Sequence, residues 1–351
     1  MMAANQNSSQ SDSHSHTFSN FSEGVDSLVE EIAEVYLCDD IPWVVGYSGG
    51  KDSTATLQLI WYALQHIEPK RRHKPVHVIS TDTLVENPIV ASWVGNSLLK
   101  MNDAAKTQGL PITSHRLIPA LADRFWVNLI GRGYAAPRQK FRWCTERLKI
   151  RPAHKFITTM VDQYGESLLV LGTRKAESVN RARSMKNHEK GRVRDKISPN
   201  GNLTNSYIYT PIENWETDDV WFFLLKKQNP WGHDNADLYS MYKGATESGE
   251  CPLVVSSNTP SCGDSRFGCW VCTLVEKDKS MQAMIHNDEE KQWMMPLMEL
   301  RNEFDFRAMP KGDRIIRDYR RMNGRVQLFH GQPIPGPYKK EFREHMLSRV
   351  L

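Results

Sequence analysis

The stretch "WVVGYSGGKDSTATLQLIWYAL", residues 43–64, decides how this chain is read. Trp43–Tyr47 is a short apolar run, and from Ser53 to His66 apolar residues recur at helical spacing. Ser48-Gly49-Gly50-Lys51-Asp52-Ser53 must therefore turn a strand into a helix. A helix that starts there aims its unpaired N–H groups at whatever fills the turn, so the turn favours an anion. Gly49 and Gly50 permit close backbone approach and positive φ, Lys51 brings a point charge, and Ser48 and Ser53 bring hydroxyls. Together they predict a phosphate cradle.

The cradle is not a Walker A loop. The spacing from Gly46 to Gly50-Lys51 is one residue short, and Asp52 stands where a Mg²⁺-binding Ser or Thr belongs. A kinase or motor-type nucleotidase is disfavoured. Outward from it, residues 76–80, 112–117 and 167–172 read as further strands, and Ser53–His66, Pro88–Gln108 and Thr145–Tyr164 as helices. Strands that alternate with helices predict an α/β fold with a parallel twisted sheet flanked by helices, with ligands beyond the strands' C-terminal ends.

The ends of the chain read differently. Residues 1–22, rich in Ser, Asn, Gln and His, are expected to be a disordered tail, and His14 and His16 belong to it. The main domain is expected over 23–228, with a strand and then a helix opening near Thr217. From 229 to 351 a Cys-rich and helical appendage is expected, with a helix near Asp288–Phe304 and an extended segment "HGQPIPGPYKKEF" (330–342).

At 351 residues the chain can bury a large core, and its formal charge of +4 does not by itself indicate nucleic acid. The cations are clustered instead, from Arg174 to Lys196 and from Lys311 to Arg325. Solvated faces and polyanion contacts explain such clusters equally well. Without an apolar run long enough for a bilayer or a secretory signal, a cytoplasmic protein with no membrane partner is expected.

Four of the six cysteines (38, 144, 251, 262, 269 and 272) fall within one short segment, which in a reducing compartment suggests metal or redox chemistry. Cys262, Cys269 and Cys272 have the spacing C-x6-C-x2-C, and with Cys144 they make a candidate four-thiolate set. Spacing leaves zinc and a cubane iron–sulfur cluster both open. Cys251 is an alternative ligand or sulfur carrier, and Cys38 reads as a small core residue.

"SGGKDS" after a strand resembles the PP-loop of ATP pyrophosphatases, which hold ATP's β,γ-phosphates and adenylate a substrate. The resemblance implies an adenine nucleotide alpha hydrolase-like fold, with Lys51, Asp52 and Ser53 catalytic and Ser48, Gly49 and Gly50 on the nucleotide. "STDT" (80–83) looks like that family's adenosine loop, which adds Asp82. "LGTRKAES" (171–178) and "PIENWETDDVW" (211–221) look like the phosphoadenosine-phosphosulfate (PAPS) reductase branch, which adds Gly172 and Arg174. That branch also implies a [4Fe–4S] cluster on Cys144, Cys262, Cys269 and Cys272 in preference to zinc.

"TDTLVENP", "PRQKFRWCTERLKIRP" and "FGCWVCT", in this order behind the loop, resemble most closely the DndC sulfurtransferases of DNA phosphorothioation and their SspD relatives. The implied activity is ATP-dependent: AMP is placed on a backbone phosphate oxygen with Mg²⁺ and release of pyrophosphate, and sulfur then replaces that oxygen. DNA, a cysteine desulfurase and other phosphorothioation proteins are the implied partners. Arg138, Lys140, Arg142, Arg181 and Arg183, in basic stretches with aromatic neighbours, are candidates for the DNA contact. A sulfonucleotide reductase is the runner-up; such enzymes carry a nucleophilic cysteine near the C-terminus, and Val275–Leu351 has none. A non-catalytic nucleotide-sensing subunit is the third reading.

Overall fold

Trp43, Val44 and Val45 of β1 (Trp43–Gly46) are fully buried at the middle of a six-stranded sheet. The computed structural model describes residues 9–246, 267–307, 309, 312–321 and 323–351, with side chains from residue 21 onward. The sheet also contains β2 (Val76–Thr81), β3 (Ile112–Leu117), β4 (Ser167–Val170), β5 (Ile197–Pro199) and β6 (Ser206–Tyr209), in the order β3-β2-β1-β4-β6-β5. All neighbours are parallel except β5, which pairs antiparallel with β6 at the edge. The expected α/β architecture is therefore present.

Alternation along β1 sorts the two faces. Trp43 and Val45 join a cluster with α1 (Ser9–Leu37), α2 (Lys51–His66), α3 (Pro88–Thr107), α6 (Thr217–Lys226) and α7 (Asn235–Gly244). Val44 faces the other way, onto Ile157 and Met160 of α4 (Arg151–Tyr164). Helices cover both faces, as a buried parallel sheet requires.

Several local expectations shift. The helix expected over 145–164 is π-helical at Thr145–Ile150 before α4 begins, because Pro152 has no N–H to continue an α-helical ladder from the preceding turn. The helix α1 starts at Ser9, inside the segment read as a tail; among its described side chains, Phe21, Val25, Val29, Ile32 and Tyr36 pack against the core. The basic excursion after β4 contains α5 (Val179–Glu189) and the edge strand β5.

Residue 229 is not a packing boundary. Trp231, Leu238 and Tyr242 bury into the main core. A second cluster joins Val85, Phe125, Leu129, Trp143 and Leu148 to Val271, Leu300, Phe304, Tyr338 and Met346. The C-terminal region, with α8 (Lys279–Asn287), α9 (Met295–Glu303), the short hairpin β7 (Leu328–Phe329) and β8 (Gln332–Pro333), and α10 (Lys340–Val350), thus shares its core with the loops beyond the sheet. Cys38 is exposed just past α1 and is not the core residue expected.

Candidate active site

Strand order reverses between β1 and β4: the chain runs outward through β2 and β3, then returns to the other side of β1. Ligands of open α/β sheets bind beyond the strand ends at such a point. The turns after β1 and β4 both open there.

Gly49 after β1 has a φ of +74, and a Cβ on it would lie 2.4 Å from Val94 Cγ2. Only glycine fits. Gly50 is the N-cap of α2 and brings no side chain to cap it. The hydroxyls hold the loop: Ser53 Oγ accepts from the Ser48 N–H at 3.2 Å and donates to the Gly50 carbonyl at 3.0 Å, while Ser48 Oγ lies 3.1 Å from Ser53 Oγ. The Lys51 N–H donates to the Tyr242 hydroxyl at 3.3 Å, a long bond, so a phenol oxygen sits where an anion would be drawn.

Gly172 lets the second turn touch the first, for a Cβ there would lie 2.7 Å from the Asp52 carbonyl oxygen and 2.8 Å from Thr56 Oγ1. Asp52 accepts from Lys51 Nζ at 3.1 Å and from Arg174 Nε at 2.6 Å. Arg174 is only 2% exposed and also donates to the Trp215 carbonyl at 3.0 Å and to Thr217 Oγ1 at 3.3 Å. Although Arg174 lines the cavity, its guanidinium is engaged within the protein. It holds Asp52, and Asp52 holds Lys51.

A cavity of about 1230 Å³ extends from this cradle. Asp82, which pairs with Arg116 and accepts the Leu84 N–H at 2.8 Å, forms part of its wall. Glu86 and Lys149, 3.2 Å apart, line it as well. Glu86 pairs with Cys269 in a short antiparallel bridge, and Cys269 Sγ lies 3.7 Å from Glu86 Oε1 and 3.4 Å from Thr83 Oγ1. The cysteine turn is thus fastened to the cavity wall through the segment following β2.

Burial pushes the Cys269 thiol up to about 12, with the Glu86 carboxylate adding to it. Burial and then Cys272 also raise Cys144. Burial opposes the Lys149 charge, but Cys269, Glu86 and Cys272 outweigh it and lift the ammonium above its ordinary range. Cys144, Cys269 and Cys272 are free thiols, and Cys272 is within electrostatic reach of each of the other two. Soft sulfur donors of this kind suit iron–sulfur or zinc. Among the described residues, though, no three His, Cys, Asp or Glu side chains are gathered closely enough to hold one ion. Cys262, the fourth ligand inferred from sequence, and Cys251 lie outside the described residues. Mg²⁺ asks less, since one or two carboxylates and the nucleotide's phosphates suffice; Asp52 and Asp82 both line the cavity.

The inferred DNA-binding cations do not gather at one place. Arg181 lines the cavity and pairs with Glu177 at 3.4 Å. Arg138 is tied to Asp313 and lies over the Phe306 ring at 4.5 Å. Lys140, Arg142 and Arg183 are exposed. Much of the 174–196 run is internally neutralised: Lys175 pairs with Glu189 at 2.5 Å, Arg192 with Glu213 at 2.8 Å, Arg194 with Asp39 at 2.5 Å and Lys196 with Glu31 at 3.0 Å. Sequence reasoning missed Tyr242, Glu86, Lys149 and Arg116. Glu86 and Lys149 lie in the quoted motifs, but no local signal marks Tyr242.

An α/β sheet with an anion-ready turn at its switch point defines a class of nucleotide-using enzymes. The chain belongs to the phosphoadenosine phosphosulfate reductase domain family, which residues 42–274 match. Over 236 residues it is 29% identical to an uncharacterized protein of Methanocaldococcus jannaschii, covering 67% of this chain and 37% of that protein's length. Similar solved structures include a PAPS reductase from Candida auris in a phosphate complex (14% identity, TM-score 0.35, 57% of this chain and 84% of that one). Another is the U34-tRNA thiolase NcsA from Methanococcus maripaludis with its [4Fe-4S] cluster (16% identity, TM-score 0.37, 62% and 70%). A third is the Candida glabrata FMN adenylyltransferase with FAD and inorganic pyrophosphate (14% identity, TM-score 0.35, 74% and 69%). Among the described residues no helix is long and apolar enough to cross a membrane.

Proposed function

We propose that this chain is an ATP-dependent sulfurtransferase that acts on a DNA backbone phosphate. The observation that carries the reading is the continuity of the cavity from the phosphate cradle to Glu86 and Lys149, beside the cysteine turn. At about 1230 Å³ it exceeds the roughly 300–1,000 Å³ that serves one small ligand, so ATP and an acceptor can share it.

A nonbridging phosphate oxygen attacks ATP's α-phosphorus, the bond to the β-phosphate breaks, and pyrophosphate leaves. The start of α2, Lys51 and the Ser48 and Ser53 hydroxyls take up its charge, while Arg174 and Asp52 keep Lys51 in place. A hydrosulfide equivalent then attacks the activated backbone phosphorus, the bond to the AMP oxygen breaks, and the sulfur loses its proton. Cys144, Cys269 and Cys272, together with Cys262, are the residues that would hold an iron–sulfur cluster once drawn together, and such a cluster would supply a site for sulfur. A cysteine desulfurase and other phosphorothioation proteins fit as donors and partners.

The test is product analysis with ATP, Mg²⁺, an oligonucleotide and sulfide, together with iron and acid-labile sulfide content. AMP, pyrophosphate and a phosphorothioate support the reading; ADP and phosphate overturn it. The family match favours one other reading, a sulfonucleotide reductase, in which the cradle grips the nucleotide's phosphate. Thiol-dependent sulfite release from PAPS would establish that activity instead.

A further inference from the structure

Among the described residues, none of the second basic run near the C-terminus lines the cavity. Residues 317–321 and 323–338 form an arm with three antiparallel contacts: Arg317 with Tyr338, Arg320 with Val326, and β7 with β8. Two left-handed residues, His330 (φ 47) and Gly331 (φ 76), make its tip. Its root is fixed. Gly336 lets the two sides close, since a Cβ on it would lie 2.8 Å from the Asp318 carbonyl oxygen, and the Tyr338 hydroxyl accepts the Ala136 N–H at 2.9 Å. Arg317 and Arg138 share Asp313.

Beyond that root every residue from 323 to 333 is exposed. Phe329 is 65% exposed, and Leu328 and Tyr319 also face solvent. Arg320 and Arg325 are exposed beside them, and Asp318 is the arm's one acidic residue. The root also sits on the loop that carries the exposed Lys140 and Arg142 and leads to Cys144. Solvent-facing rings among arginines match a strand that offers phosphates to the cations and unpaired bases to the rings.

We propose that this arm binds a single-stranded segment of nucleic acid and holds it against the loop leading to Cys144. The proposal rests on the nucleic-acid substrate proposed above. It is tested without ATP, by fluorescence anisotropy of the full chain with labelled single-stranded DNA, single-stranded RNA and duplex DNA over a range of salt. The variants are R320A/R325A and F329A, whose side chains lie outside the buried core, with melting curves to confirm folding.

For single-stranded ligand, R320A/R325A should lower the slope of log affinity against log salt by about 1.4, the value for two lost phosphate contacts. F329A should weaken binding about tenfold with the slope unchanged. The DNA and RNA arms identify which strand is held. If wild type binds single strands and both variants bind them equally well with the same slope, the arm is not the surface, and the substrate reading stands. If wild type forms AMP and pyrophosphate yet binds no oligonucleotide, the substrate reading fails and takes the arm with it. A change in oligomeric state in F329A with binding intact would make the arm a contact between copies and overturn the proposal.

Discussion

Gly172→Ala tests whether the cradle depends on contact between two turns far apart in sequence. The added methyl would stand 2.7 Å from the Asp52 carbonyl oxygen, 2.8 Å from Thr56 Oγ1 and 2.9 Å from the Asp52 carbonyl carbon. Ordinary contact begins at about 3.5 Å, so the first turn of α2 and the segment after β4 must separate by roughly 0.8 Å. Two of the three obstacles are backbone atoms, which cannot rotate away. Overpacking of this kind costs about 1–3 kcal/mol of stability. The larger effect should be catalytic, because the displaced turn carries Lys51 and the amides that, under the proposed function, would face the leaving pyrophosphate. A misplacement approaching 1 Å costs about 100-fold at a reacting centre, so kcat/KM for AMP release should fall between about 10- and 100-fold. The assay is AMP and pyrophosphate release with a parallel thermal melt. Gly24→Ala is the control: it lies in α1 with nothing within 4 Å of an added Cβ, and should leave turnover unchanged while adding up to about 1 kcal/mol. Wild-type kcat/KM and melting in the Gly172 variant would refute the argument.

Other outcomes follow from the same geometry. Lys51→Ala should reduce AMP formation by at least about 100-fold, the scale for losing one charge-stabilising donor, whereas Arg174→Met should raise KM and lower kcat together by releasing Asp52; unchanged kinetics in Arg174→Met would show that Asp52 needs no anchor. Tyr242→Phe removes the oxygen that accepts the Lys51 N–H, so ATP should bind about two- to tenfold tighter by titration; weaker binding would make the hydroxyl a ligand contact. His77 and His115 meet at 3.0 Å between β2 and β3. Burial holds both imidazoles below their ordinary pKa, and the His115 charge adds to this at His77. Their contribution to stability is full above about pH 6.5 and is lost as pH falls through the lowered folded values, so Tm should drop on acidification. His115→Phe, placed beside the Phe156 ring at 4.9 Å, should flatten that decline, and an unchanged Tm–pH curve would disprove the assignment.

The legible part of this protein is local. Residues 43–64 alone predict strand, anion-binding turn and helix, because periodicity, paired glycines and a helix start are properties of neighbouring residues. Alternating strands and helices extend this to a mostly parallel sheet, as observed, and lead to the expectation of a ligand beyond the strand ends. Other features depend on residues distant in sequence. Only folding shows that Gly172 is needed for contact with Asp52, that Arg174 is engaged behind Lys51, and that the Tyr242 oxygen, 191 residues from Lys51, enters the cradle. The same holds for charge. A run of cations reads alike whether it is solvated or paired, and the fold alone gives Lys175, Arg192, Arg194 and Lys196 their carboxylates while leaving Arg320 and Arg325 on the surface. Sequence therefore determined which reactive groups the chain carries, because residue types and short spacings encode them. Tertiary structure decided which of those groups face the cavity, because burial and pairing arise between segments that only folding brings together.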